Sequence, residues 1–437
     1  MKIQIKDNAQ KRTLNKQDIK TLSLSSLGGT LEFYDFIIFI FFANVISHLF
    51  FPTNLNPFWS SLNTYGAFAA GYFARPLGGI IMAHFGDKTG RKKMFMLSIL
   101  LMVIPTFLVG ILPTFEVIGY FAPTILLLVR ILQGIAIGGE LPGAWVFISE
   151  HVNKKHLGFA LGILTGCVVG GILLGSIVTF FINILFTSEQ ISNFAWRIPF
   201  ILGGVFGIIS IFLRKYLQET PIFKEMQANK TLVKLPIKEV LKTSKIGILI
   251  STLMTWVLTG CIIVLVLLMP NMMQKILQTP NINIILIQML TIFSVALGCI
   301  ISGILADKFG IAKTCCTFGV AFSISNLIYF HNLYSGGVVS NIFIWYVLSG
   351  FFGGIMNFTP LIMVNIFRPN IRFSGLSFSY NLAYALFGGL APILVISLSN
   401  YNPMWIGYYL AFLGFIAICV GLYLQLNSFN KSQNPFI

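Results

Sequence analysis

Apolar stretches of about twenty residues recur along the whole chain, which is the length a helix needs to cross the hydrocarbon core of a bilayer. Twelve segments reach it, at 24–50, 62–85, 94–113, 120–148, 157–185, 197–216, 246–270, 283–305, 313–333, 341–365, 373–399 and 403–426. Runs this long exclude a membrane barrel, whose strands take roughly ten residues of alternating polarity. A water-soluble fold is excluded as well. Of 437 residues, 56% are hydrophobic and only 10% charged, more apolar surface than one core can bury. The expected fold is an all-α membrane protein with twelve transmembrane helices. An even number of spans returns both termini to one side.

The net charge of +16 invites a nucleic-acid reading, and its placement rejects it. All but four of the 29 Lys and Arg lie on the tails or on alternate loops; the exceptions are Arg75, Arg130, Arg197 and Lys275. That is the positive-inside asymmetry of membrane proteins. Both termini are therefore expected in the cytoplasm, with the chain in the plasma membrane and the lipid bilayer as a partner. The first apolar run has no small-residue cleavage site after it and reads as a retained helix. The six cysteines show no metal spacing and read as small core residues.

One charged turn occurs twice, half a chain apart. The first copy is Asp87-Lys88-Thr89-Gly90-Arg91-Lys92-Lys93, the second Asp307-Lys308-Phe309-Gly310-Ile311-Ala312-Lys313. Such repetition implies two pseudo-symmetric six-helix halves with a path between them. The expected organisation is a cytoplasmic tail over 1–23, one half over 24–216, a cytoplasmic linker over 217–245, the second half over 246–426 and a tail over 427–437. Lysines recur near every fourth residue of the linker, at Lys224, Lys230, Lys234, Lys238, Lys242 and Lys245. Two readings stand: short amphipathic helices touching anionic lipid, or a solvated connector. Gly158, Gly162, Gly166 and Gly170 stack on one face of the fifth helix, where a neighbouring backbone can approach.

Ionisable groups within membrane helices are costly and mark function by default. Five qualify: Glu32, Asp35, Arg75, Arg130 and Glu140, all in the first half. At 1.5 Å of rise per residue, Glu32 and Asp35 fall roughly 8–12 Å from the inner end of their helix and share a face. Arg75 reaches comparable depth. Glu32, Asp35, Arg75 and Glu140 are expected to form one cluster with Arg130 above it. It serves proton coupling, by carboxylates exchanging partners on protonation, or it is a static network orienting helices. The first turn carries a gating expectation. The eleventh helix starts near Phe373 on the inner side, and its positive N-terminus would receive Asp87. By symmetry Asp307 would dock near Gly158. Lys88, Arg91 and Lys92 would hold acidic partners or lipid phosphates, Lys308 is the gating counterpart in the second copy, and Gly90 and Gly310 permit the turn.

These residues resemble a known family. Ala83-His84-Phe85-Gly86-Asp87-Lys88-Thr89-Gly90-Arg91-Lys92 resembles the loop between the second and third helices of the major facilitator superfamily. Arg130-Ile131-Leu132-Gln133-Gly134 resembles its fourth-helix motif. Gly29-Thr30-Leu31-Glu32-Phe33-Tyr34-Asp35-Phe36, Phe73-Ala74-Arg75-Pro76-Leu77-Gly78, Gly138-Gly139-Glu140, Trp196-Arg197-Ile198-Pro199-Phe200 and Glu219-Thr220-Pro221 together resemble the metabolite:proton symporter family, over about 25–425. The resemblance implies alternating access and a small metabolite carried with protons. Known members carry proline and betaine, 2-oxoglutarate, citrate or shikimate. Here Phe33 stands where Trp is usual, His151 where Tyr is usual, and Ile311 opposite Arg91. The fifth-helix stretch Gly166-Cys167-Val168-Val169-Gly170-Gly171 lacks the proline of the superfamily's antiporters, which favours symport.

For the substrate, a zwitterion such as proline or betaine needs balanced charge and an aromatic wall for its ammonium. Tyr34, Trp145, Trp256, Trp345, Tyr380 and Tyr384 are the candidate wall, with Arg75 and Gln133 as polar contacts. The five buried charges sum to −1, which leans toward a zwitterion. A di- or tricarboxylate would use Arg75 and Arg130 instead. A passive facilitator or a solute sensor is the alternative from another class. An enzyme is not expected: His48, His84, His151, His156 and His331 are scattered, and no activated Ser or Cys or phosphate loop is present. No cofactor beyond the coupling proton is expected, and a monomer suffices.

Overall fold

In the computed structural model, residues 15–52, 57–278, 281–391 and 404–430 are described, with Val395, Ser397 and Asn402. Helices α1 (Lys16–Phe41) and α2 (Ala43–Phe50) are followed by α3 (Pro57–Thr89), α4 (Arg91–Ile111), α5 (Phe121–His151), α6 (Leu157–Leu185) and α7 (Arg197–Arg214). Two short helices follow, α8 (Pro221–Ala228) and α9 (Pro236–Thr243), so the linker takes the helical form of its two readings. Then come α10 (Lys245–Gly260), α11 (Asn281–Phe309), α12 (Ile311–Tyr334), α13 (Val339–Phe352), α14 (Arg372–Ala383) and α15 (Met404–Asn430). A π-helical stretch, Cys261–Leu268, continues α10 into Met269–Leu277; a 3₁₀ turn, Gly353–Asn357, continues α13 into Phe358–Ile366. No strand occurs among the described residues. Ten helices there are long and apolar enough to cross a membrane.

The helices from α1 to α7 pack among themselves, as do those from α10 to α15. Two seams join these bundles, α6 against α11 and α3 against α14. The glycine stripe lies on the first seam. A Cβ on Gly158 would come within 2.5 Å of the Gly303 carbonyl oxygen, on Gly162 within 2.6 Å of that of Cys299, and on Gly166 within 2.9 Å of that of Ala296. Those are backbone contacts that only glycine permits. Gly170 meets nothing and is not part of the contact. The second seam is tied by polar side chains: Ser377 donates to the carbonyls of Gly79 and Gly138 (3.0 Å each), and Asn381 to that of Gly138 (2.7 Å).

Helix α8 starts with a capping Thr220, whose hydroxyl accepts from Phe223 N–H at 3.2 Å, and with Pro221 at its first position, a pairing that suits a helix N-terminus. Phe223 and Val240 are buried, so α8 and α9 rest on the bundles instead of hanging free.

Candidate functional site

Both copies of the repeated turn clasp a helix start in the opposite bundle. Gly90 and Gly310 take φ of +125° and +93°, the region L side chains avoid, and each lets one helix end and the next begin at once. The Asp87 carboxylate accepts from Ser374 N–H at 2.9 Å, in the first turn of α14. The Asp307 carboxylate accepts from the N–H groups of Gly158 and Phe159 at 2.7 and 2.8 Å, at the start of α6. Each acid thus accepts from orphan N–H donors and complements a helix dipole.

Around the first clasp a buried network has grown. Arg91 pairs with Asp87 at 2.7 Å, and donates to the carbonyls of Gly86 (2.8 Å) and of Pro369 across the seam (2.9 Å). Glu150, absent from the sequence expectations, sits between Arg91 and Arg372, each at 3.5 Å, and accepts from Thr220 at 2.7 Å. Glu219 caps α4, accepting from Arg91 N–H at 3.0 Å and Lys92 N–H at 3.2 Å. The second clasp has Ile311 at the arginine position. Lys88 and Lys308 are exposed at the rim.

Deeper, the charges divide into separate groups. Asp35, buried on α1, accepts from Gln133 on α5 at 2.7 Å; Gln133 also donates to Thr106 at 3.0 Å. Arg130 is the cation that faces Asp35, and its guanidinium lies 3.5 Å above the Phe39 ring. Arg75 sits apart, on the inter-bundle face of α3. Its guanidinium is 4.1 Å from the Tyr384 ring centre, 5.4 Å from that of Tyr380 and 5.6 Å from that of Tyr72. Tyr380 stands edge-on to Trp145 at 5.0 Å. This three-tyrosine cage joins α3 to α14 and borders a cavity that Phe33, Ile137, Ile262 and Ile263 also line. Its free volume is only ≈ 10 Å³, about what a single water needs.

Several expected contacts lie elsewhere. Glu140 does not join Asp35 and Arg75. It pairs with Arg214 of α7 and accepts from Ser98, while Arg214 also donates to the Phe95 carbonyl at 2.9 Å. A charge at the end of a span reads as cytoplasmic in sequence, yet Arg214 is fully buried because α7 brings it beside α5. Tyr34 spends its hydroxyl on the Pro199 carbonyl at 2.9 Å, inside the first bundle and away from the cage. Trp256 donates to Tyr409 at 2.9 Å and stacks on Phe387 at 4.1 Å, so it packs α10. Trp345 lines an outward groove with Val320 and Ile324. Glu32 belongs to α1, but its side chain lies outside the described residues.

Two helical bundles meeting along close seams, clasped at one end and holding buried charges and a tyrosine cage between them, define a membrane transport protein. The family follows from comparison: the model of the Major Facilitator Superfamily matches residues 27–369, and the chain belongs to that superfamily. It is a transporter and not an enzyme, an integral multi-pass protein of the plasma membrane. It is 31% identical to the inner membrane metabolite transport protein YhjE of Escherichia coli, over 93% of each chain. It is 28% identical to a putative proline/betaine transporter of Staphylococcus aureus, over 95% of this chain and 90% of that one. It is also 28% identical to the citrate-proton symporter of Klebsiella pneumoniae, over 92% and 90%. In fold it matches the proton:xylose symporter XylE bound to 6-bromo-6-deoxy-D-glucose, with a TM-score of 0.76 at 16% identity over 94% and 95% of the two chains.

Proposed function

We propose that this chain is a proton-coupled symporter of a small zwitterionic solute such as proline or betaine. It works by alternating access between two six-helix halves of twelve spans, with both termini and the two clasps on the cytoplasmic side. The observation that carries the reading is the pairing of two buried sites. One is the carboxylate of Asp35, held by Gln133 and faced by Arg130. The other is the tyrosine cage around Arg75. Protonation of Asp35 would cancel its attraction for Arg130 and weaken its bond from Gln133, which couples proton uptake to the packing of α1 on α5.

Charge balance supports a neutral substrate on new grounds. Among the described residues, four buried acids, Asp35, Asp87, Glu140 and Glu150, face four buried arginines, Arg75, Arg91, Arg130 and Arg214, so these charges sum to zero. Glu140 and Arg214 satisfy each other, leaving Asp35 facing Arg130, and Arg75 within the tyrosine cage. In the closed cavity Arg75 occupies the tyrosine faces itself. A substrate would draw Arg75 onto its carboxylate and offer its ammonium to the rings. A di- or tricarboxylate is the second reading, favoured by the two arginines and by the relative named for citrate. The proton is the coupling ion, no other cofactor is invoked, and one chain suffices.

The test is uptake into proteoliposomes of labelled proline, betaine and citrate, driven by an imposed pH gradient. The expected result is gradient-driven accumulation of one zwitterion. Equal uptake without a gradient makes the chain a facilitator, and binding with no flux makes it a sensor. The Asp35→Asn variant is expected to keep counterflow exchange and lose the response to pH.

A further inference from the structure

A second, much larger cavity of ≈ 1040 Å³ opens at the clasped end, between α10, α11, α12, α15 and the helical segment Phe358–Ile366. Five cations line it: Lys154, Lys242, Lys245, Lys313 and Arg368. They come from four separate stretches of chain: the turn before α6, the end of the linker, the start of α12 and the loop after Phe358–Ile366. Asp307 is the single acid in the wall, and both its oxygens already accept from Gly158 and Phe159. Among the described residues, none of the five cations lies in an ion pair. Deeper in, the wall is apolar, with Ile250, Leu361, Ile362 and Leu424.

Positive-inside topology explains why these residues are basic. It does not explain why five of them converge on one concave space with an apolar floor and no free counter-charge. That combination suits a ligand with an anionic head and an apolar body. We propose that this cavity binds a phosphate-bearing amphiphile and that its occupancy holds the second clasp shut. Lys154 belongs to the first bundle and the other four cations to the linker and second bundle, so one phosphate group can bridge the seam. At the first clasp, Glu150 does this from within, between Arg91 and Arg372. At the second, Lys154, Lys313 and Arg368 gather with no such acid, and Asn365 stands in the wall near the end of Phe358–Ile366. The bound phosphate supplies the missing anion. A ligand that touches both bundles only when they are closed shifts the population toward that state.

Two sources carry this chemistry, an anionic phospholipid of the cytoplasmic leaflet and a soluble organic phosphate; the first rests on the orientation proposed above. The experiment reads binding, so its outcome does not depend on the transported solute. The purified full chain is placed in phosphatidylcholine nanodiscs with added phosphatidylglycerol, or given ATP in solution, and retained ligand is measured by native mass spectrometry and titration. The Lys242→Gln/Lys313→Gln/Arg368→Gln variant is expected to bind about tenfold or more weakly. The Lys224→Gln/Lys230→Gln variant, altered outside the cavity, is expected to bind as wild type does, which separates loss of site from loss of surface charge. Phosphatidylglycerol held by wild type and lost by the triple variant assigns a lipid; ATP behaving so assigns a soluble phosphate. Retention of neither probe, or equal retention by wild type and triple variant, overturns the proposal. Spin labels placed across the seam of α6 and α11 are expected to draw together when the probe binds wild type and not when it is added to Lys154→Gln; an undiminished change in that variant overturns the bridging role.

Discussion

Glu140 and Arg214 find each other across the first bundle, and neither has water to fall back on. Removing one partner of such a pair leaves an uncompensated buried charge, a loss of about 3–5 kcal/mol. Arg214→Met is therefore expected to unfold at markedly lower temperature in detergent, and Glu140→Gln/Arg214→Gln to recover part of the loss. A single variant as stable as wild type would place Arg214 in solvent. The cage makes a second residue-level prediction. Tyr384→Phe keeps the ring that Arg75 faces at 4.1 Å, so uptake is expected near normal. Tyr384→Leu removes the π face and is expected to raise KM about tenfold, read from initial uptake rates. Much of this was not legible beforehand. A helix apolar all round carries no signal of which face is inward. Sequence therefore named Tyr34, Trp256 and Trp345 beside Tyr384 without separating them, and it set Arg214 among the loop cations. Asp35, Arg75 and Arg130 were legible because a charge inside a long apolar run stands out wherever it points.

Among elements, the turns and seams carry the closing of one end. The helix directions follow from the count of apolar runs, and with them the ends of α3 and α11 come to lie beside the starts of α14 and α6. The acid at each turn then has N–H groups within reach. What sequence did not contain is Glu150 at the centre of the first network, since a Glu at a helix end reads as solvated. Asp87→Asn keeps a polar group against Ser374 but loses the charge facing α14 and Arg91. It is expected in the membrane at normal level with slower uptake, measured by blotting and labelled-solute flux; normal flux would remove Asp87 from gating. On the other seam, Gly162→Val would drive a side chain into the Cys299 carbonyl. Its expected effect is loss of flux with retained insertion.

For the molecule as a whole, the length and number of apolar runs foretell a membrane-spanning helical fold, and the repeated turn foretells two bundles. The family match over 27–369 and the ten long apolar helices among the described residues agree with the first of these. Orientation is open to a direct measurement. Tags on both termini are expected to be reached by antibody only after the cell membrane is permeabilised, and labelling of intact cells would reverse the assignment of sides.

The two clasps differ in what surrounds them. One acid sits in a network of Arg91, Glu150, Arg372 and Glu219; the other accepts from two backbone N–H groups and, among the described residues, is in no ion pair. The separation of the halves is therefore expected to have a sequence in time. Without the proposed phosphate, the acid with fewer partners is expected to part from α6 first while the wrapped one still holds, so the halves are expected to open as a wedge from one side. Spin-label pairs across each seam would record two distances changing in succession.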